Sequence, residues 1–99
     1  MTEEKIVLLL NSLKNKLKIT FNDSDEDLKI IIQNAIPTVN HKIGAEIDYT
    51  EFGQEQELFL NYCMYVYYNR QNEFDKLYIN EIMQIREKNV VRNYQNEQK

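Results

Sequence analysis

Few residues in this chain could do chemistry by themselves. His41 and Cys63 are each the single representative of their type. A nucleophilic cysteine needs a base to take its proton or a cation to hold its thiolate. Cys63 instead sits among Leu60, Tyr62, Met64, Tyr65 and Val66, where a free cysteine packs as a small hydrophobe. His41, between Asn40 and Lys42, has no second histidine and no spare cysteine with which to build a common metal site. Asp23, Asp25 and Asp27 repeat the first spacings of a calcium loop. That loop needs glycine where Leu28 stands and glutamate where Asn34 stands, so these acids read as the start of a helix. Gly44 and Gly53 are isolated, which leaves no loop to cradle a phosphate. The sequence predicts no catalytic centre, no cofactor and no metal.

Two constellations suit binding better than catalysis. Lys14, Lys16 and Lys18 gather at one helix end and could touch a phosphate backbone, although lysines there are ordinary solvated surface. Tyr62, Tyr65, Tyr67 and Tyr68 crowd one stretch, followed directly by Asn69 and Arg70. Tyrosines can stack single-stranded bases, and Tyr and Arg are also the anchors of protein interfaces. Crowding around a whole helix favours a core that continues into an interface. Tyr65, Tyr68 and Arg70 are therefore the first candidate interface residues. Near the carboxyl end, Val90, Val91 and Tyr94, with Arg92 beside them, form a second candidate set within an otherwise polar segment.

Four helical segments must position these residues. Thr2 is an N-cap, Glu3 and Glu4 suit the first turn, and Ile6, Leu9, Leu10, Leu13 and Leu17 recur at helical spacing. Ile19–Phe21 reads as a short extended connector. A second helix opens at Asn22–Asp27, with capping-box spacing between Ser24 and Asp27 or Asp23 and Glu26. Its stripe of Leu28, Ile31, Ile32 and Ala35 stays in phase through Val39 and Ile43, with Gly44 as the C-cap. Pro37 lies inside that stripe, which predicts a kinked second helix. After an acidic connection over 45–52, a third helix runs from about Gln54 to about Arg70. Its middle is apolar nearly all round, so it is central to the fold or shared with a partner. A fourth begins near Asp75, a possible N-cap, and carries Tyr78, Ile82 and Ile85. The buried set is expected to include Leu9, Leu13, Ile31, Ile32, Leu58 and Tyr62.

The whole is one domain. The chain has 99 residues, with 42% hydrophobic and 28% charged, which is globular. A net charge of −4 argues against a broad nucleic-acid-gripping face. No run approaches a membrane span, Glu3 and Glu4 precede the longest apolar run, and a single cysteine fits a reducing compartment. The expected architecture is all-α: a single small four-helix domain over residues 1–88 and a flexible tail over 89–99.

The order of these segments resembles a known family. A leucine-rich helix ends in Leu13-Lys14-Asn15-Lys16-Leu17-Lys18-Ile19, and the acidic cap Asp23–Asp27 opens a helix through Ile30-Ile31-Ile32-Gln33-Asn34-Ala35. A long apolar helix closes on Tyr67-Tyr68-Asn69-Arg70, and a short helix ends near Ile85-Arg86. From about Lys5 to Arg86 the chain is similar to the head–tail connector (adaptor) proteins of long-tailed bacteriophages. The resemblance implies a non-enzymatic virion protein whose copies close into a ring of about a dozen under the portal protein. Its partners would be the portal, a stopper or tail-completion protein and itself. DNA would pass through the ring without sequence-specific binding, a negative surface giving the phosphates no grip. No membrane partner is expected. Assembly would take place in the host cytoplasm, and Arg70 would pair with an acid of the Glu46–Glu57 connection on a neighbouring copy. The alternative is a small phage or prophage-encoded regulator that binds DNA or a host protein, with Lys14, Lys16 and Lys18 on the DNA face.

Overall fold

A computed structural model describes the backbone of residues 2–97 and the side chains of residues 2–90. Among the described residues five α-helices follow one another: α1 (Glu3–Leu17), α2 (Asp25–Ile43), α3 (Gln54–Tyr67), α4 (Phe74–Leu77) and α5 (Ile79–Glu97). A single 3-10 turn, Gln71–Glu73, leads into α4. No strand occurs among the described residues, so the all-α expectation holds. Helices α1, α2 and α3 pack on one another, and α5 lies against α2 and α3.

The stripes predicted from spacing form the core. Ile6, Leu9, Leu10 and Leu13 of α1 meet Leu28, Ile32, Ala35, Val39 and Ile43 of α2. Leu58, Phe59, Leu60 and Cys63 of α3, then Phe74, Ile82 and Ile85, complete it. Ile31 and Tyr62 are half-buried at its margin and not inside it. The α2 stripe that points inward runs 28, 32, 35, 39, 43, which leaves Ile31 one position to the side.

The helix ends use local chemistry. Thr2 Oγ1 accepts from the Lys5 backbone N–H at 3.3 Å, as an N-cap should. Ser24 holds the N-cap position of α2 without a side-chain capping bond. The first turn of α2 is tied down instead by Lys14 Nζ, which donates to Asp25 Oδ1 and Asn22 Oδ1, each at 2.8 Å. Three helices finish on a left-handed residue: Lys18 at φ 59°, Gly44 at φ 68° and Asn69 at φ 58°. In each the following N–H reaches back to a carbonyl five residues earlier: Ile19 to Lys14, Ala45 to Asn40 and Arg70 to Tyr65. Gly44 pays nothing for that conformation and Asn69 little.

Pro37 lies inside α2, which continues to Ile43 as the apolar stripe predicts. Its ring sits on the exposed side, and the carbonyl it leaves unbonded belongs to exposed Gln33, where water can satisfy it. The fourth segment is two helices, and Asp75 lies inside α4 as the partner of Lys42 at 2.6 Å. The break falls at Tyr78, whose ring stacks on Phe74 at 4.7 Å and meets Tyr65 edge-on at 5.7 Å. The backbone of α5 then continues as helix to Glu97, past the expected end near Asn89.

The connection over 45–53 is pinned rather than loose. Tyr49, 1% exposed, stacks on Phe59 at 4.4 Å and donates its hydroxyl to Asn40 Oδ1 at 2.5 Å. Asn40 Oδ1 also accepts from Ile47 N–H, and Gln56 Nε2 donates to the Tyr49 carbonyl at 3.0 Å. These contacts hold Tyr49 in a left-handed conformation, φ 63°, that a tyrosine rarely adopts. Lys5 Nζ adds a 2.6 Å bond to Asp48 Oδ2, joining α1 to the same connection. That hydrogen bond, with others from the Thr50 N–H and hydroxyl, lowers the Asp48 pKa to about 2.

A pH dependence follows from Asp48. Its folded-state pKa lies below the ordinary carboxylate value of 3.8, so its contribution to stability is present above about pH 4. It fades as the pH falls towards 2. Urea midpoints of the wild type and of Asp48→Asn should differ slightly at pH 6 and converge near pH 2, the difference being small because the pair is exposed. A constant difference across that range would show that the pair does not act through ionisation.

Candidate functional site

The end of α3 is the most developed surface feature. Leu58, Phe59, Leu60 and Cys63 face the core, whereas Tyr67 and Tyr68 are exposed. Tyr62, Met64, Tyr65 and Val66 lie between these extremes. A helix apolar around its circumference thus serves a core on one side and a free surface on the other. Tyr65 is held edge-on against Phe74 and Tyr78, at 5.8 and 5.7 Å. Tyr68 packs edge-on against Tyr67 at 5.1 Å. The left-handed Asn69 folds the chain back, and the Arg70 N–H bonds to the Tyr65 carbonyl at 2.7 Å. The result is a cavity of about 410 Å³ lined by Met64, Tyr65, Tyr68 and Arg70. Tyr65, Tyr68 and Arg70, singled out from the sequence, come together at the end of α3.

Arg70 does not stand unpaired. Its Nε and Nη2 donate to Glu73 Oε2 and Oε1, at 2.6 and 2.8 Å. This fork raises the Arg70 pKa and lowers that of Glu73, chiefly through the hydrogen bonds. Its partner is therefore three residues along its own chain. Of the acids in the 45–57 connection, Asp48 engages Lys5, Glu55 engages Lys88 and Glu57 engages Lys16. Glu46 and Glu51 are exposed.

A second surface lies along α5. Ile82, Ile85 and Asn89 face inward, with Asn89 Nδ2 donating to the Ile85 carbonyl at 2.9 Å. The outward side carries Ile79, Met83 and Val90, and Leu77 of α4 is exposed just ahead of them. Spacings of four and seven put Ile79, Met83 and Val90 on one helical face. Of the predicted carboxyl-end residues, Val90 joins this face, and the side chains of Val91, Arg92 and Tyr94 lie outside the described residues. The apolar spacing of Ile79 and Met83 was readable but sits one position off the core stripe. Phe52, 94% exposed on the 45–53 connection, carries no sequence signal that separates it from a core residue.

The other candidates resolve into structure. Cys63 is fully buried, and burial pushes its thiol pKa up, so it stays a protonated hydrophobe at neutral pH. His41 is exposed beside a shallow cleft formed with Ile36, Pro37 and Glu46. No group of acids, histidine and cysteine among the described residues is placed to hold a metal ion. Lys14 is committed to Asn22 and Asp25, and Lys16 to Glu57. The lysine group is thus largely occupied by the chain's own acids.

A comparison with protein families assigns the fold a context. The family model for phage gp6-like head-tail connector proteins matches residues 8–97, from within α1 to the end of α5. The chain belongs to this family. The connector is accordingly a structural phage protein of the virion, acting between head and tail. Searches of curated proteins and of solved structures each returned no match. Among the described residues, no helix of the connector is long and apolar enough to cross a membrane.

Proposed function

We propose that copies of the connector close into a ring on the portal protein, prolong its DNA channel, and offer their far surface to a stopper or tail-completion protein. Subunits would join the head in the host cytoplasm during assembly. The observation that carries this reading is the outward apolar face of α5, Ile79, Met83 and Val90, on a chain of the head–tail connector family. Solvent-facing apolar side chains at helical spacing on a small protein mark a surface that a partner covers. We assign that partner as the portal, with Val91, Arg92 and Tyr94 extending the contact. A net charge of −4 suits a channel wall, because DNA is repelled lightly and slides.

The regulator alternative gains nothing from the site. Its DNA face would be Lys14, Lys16 and Lys18, and two of these three already neutralise acids within the chain. The two readings separate in one pair of assays. Purified connector should leave a labelled duplex unshifted at low salt and should co-sediment with portal. A salt-dependent duplex shift without portal binding would favour the regulator.

Arg70 offers a finer test. The fork to Glu73 is exposed, so Arg70→Glu should leave the thermal unfolding midpoint close to that of the wild type. The same change places an acid on the cavity rim and should weaken self-assembly severalfold, measured by sedimentation. Equal loss of fold and assembly would reduce Arg70 to a local structural role.

A further inference from the structure

We propose that Phe52 of one connector subunit inserts into the cavity of Met64, Tyr65, Tyr68 and Arg70 on the next. This inference rests on the ring reading and names the contact that would build the ring. Phe52 is 94% exposed, the most exposed large apolar side chain described. It is presented by a held backbone and not by a loose loop. On one side Tyr49 is buried, stacked on Phe59 and bonded to Asn40, and Thr50 bonds to Asp48 through its N–H and hydroxyl. On the other side Gly53, at φ 154°, turns the chain into α3, its carbonyl accepting from the Glu57 N–H at 3.1 Å. An anchor already fixed in position loses little entropy when it docks.

The cavity suits such an anchor. An enclosed apolar space of roughly 150 Å³ accommodates a benzene ring. The space beside Tyr65 and Tyr68 is about 410 Å³, so a phenyl group fits with its flanking backbone. It would meet two tyrosine rings, a thioether and a guanidinium, all favourable neighbours for an aromatic face or edge.

The charges also match. Glu51, exposed next to Phe52, accompanies the knob, and Arg70 borders the hole. Glu73 uses Nε and Nη2 of Arg70, which leaves Nη1 to donate to a second carboxylate.

Knob and hole cannot meet within one chain. They stand at opposite ends of α3, a helix of 14 residues, and therefore about 20 Å apart. A surface and its complement at opposite ends of one rigid element make a head-to-tail contact, and head-to-tail contacts close into rings when the rotation permits.

The test uses the full chain with its portal protein, and native mass spectrometry counts the connector copies bound. Phe52→Asp and Tyr68→Asp alter exposed residues, and their unfolding midpoints should match the wild type. Phe52→Ser replaces the first variant if aspartate disturbs the fold. Each single variant should weaken association between subunits at least tenfold, the scale of losing a central anchor. An equimolar mixture of the two should recover part of the wild-type loading, because where the variants alternate every second contact joins an intact Phe52 to an intact cavity. Wild-type loading by Phe52→Asp, a loss in only one of the two variants, or a mixture no better than its components would overturn the contact and leave the ring standing. Wild-type connector that binds portal only as single subunits, or not at all, would overturn the ring and this contact together.

Discussion

Replacing Ile32 with alanine lowers the free energy of unfolding by about 2–5 kcal/mol. Ile32 is fully buried in the middle of α2, the helix that packs against α1, α3 and α5. Truncation removes apolar surface from the core and leaves a void that three neighbouring helices would have to move together to fill. Left-handed residues end α1, α2 and α3, and ion pairs such as Lys14–Asp25 and Lys42–Asp75 tie α2 to its neighbours, which limits collapse around the void. Chemical denaturation measures it directly. A loss below about half a kilocalorie would mean that the 28–32–35–39–43 stripe is not the core.

Removing residues 90–99 should do the reverse, sparing stability and abolishing partnership. Asn89 is the last buried side chain described in α5, and Val90 beyond it is 66% exposed. A polar terminal stretch contributes little to most folds. If Val90, Val91, Arg92 and Tyr94 dock on the portal, their loss removes apolar anchors and an ion pair at the rim together. Portal affinity should then fall more than tenfold while the denaturation midpoint barely shifts. Full-strength binding by the truncated chain would contradict the docking role. A large drop in stability would show instead that this stretch of α5 belongs to the fold.

Much of the architecture was legible because it depends on local rules. The stripe of α1, the Thr2 cap, the Gly44 terminus of α2 and the start of α3 after Gly53 each follow from residue type and spacing. The break at Tyr78 was not legible, because it goes with ring packing among Tyr65, Phe74 and Tyr78, residues from separate elements. Lys18 in a left-handed cap carries no sequence signal, since lysine has no preference for that conformation. Tyr49 is a similar case: its unusual backbone exists only because Phe59, Asn40 and Gln56 converge on it.

The site divides along the same line. Tyr65 and Tyr68 share a face because they are three apart, and the turn at Asn69 brings Arg70 beside them. Those contacts are short-range, and the sequence pointed to them. The Arg70–Glu73 fork is an addition that the sequence reading did not name, a carboxylate three residues along the same chain. Phe52 was hidden too. An aromatic beside a buried tyrosine reads as core until the fold shows which of the two points outward.

The proposed ring on the portal can be seen directly by electron cryomicroscopy of connector mixed with its portal protein. A cyclic layer of about a dozen connector copies coaxial with the portal channel, closed by one repeated head-to-tail contact, is the expected image. Isolated connector subunits scattered on the portal, or portal particles bare of connector at saturating concentration, would contradict it.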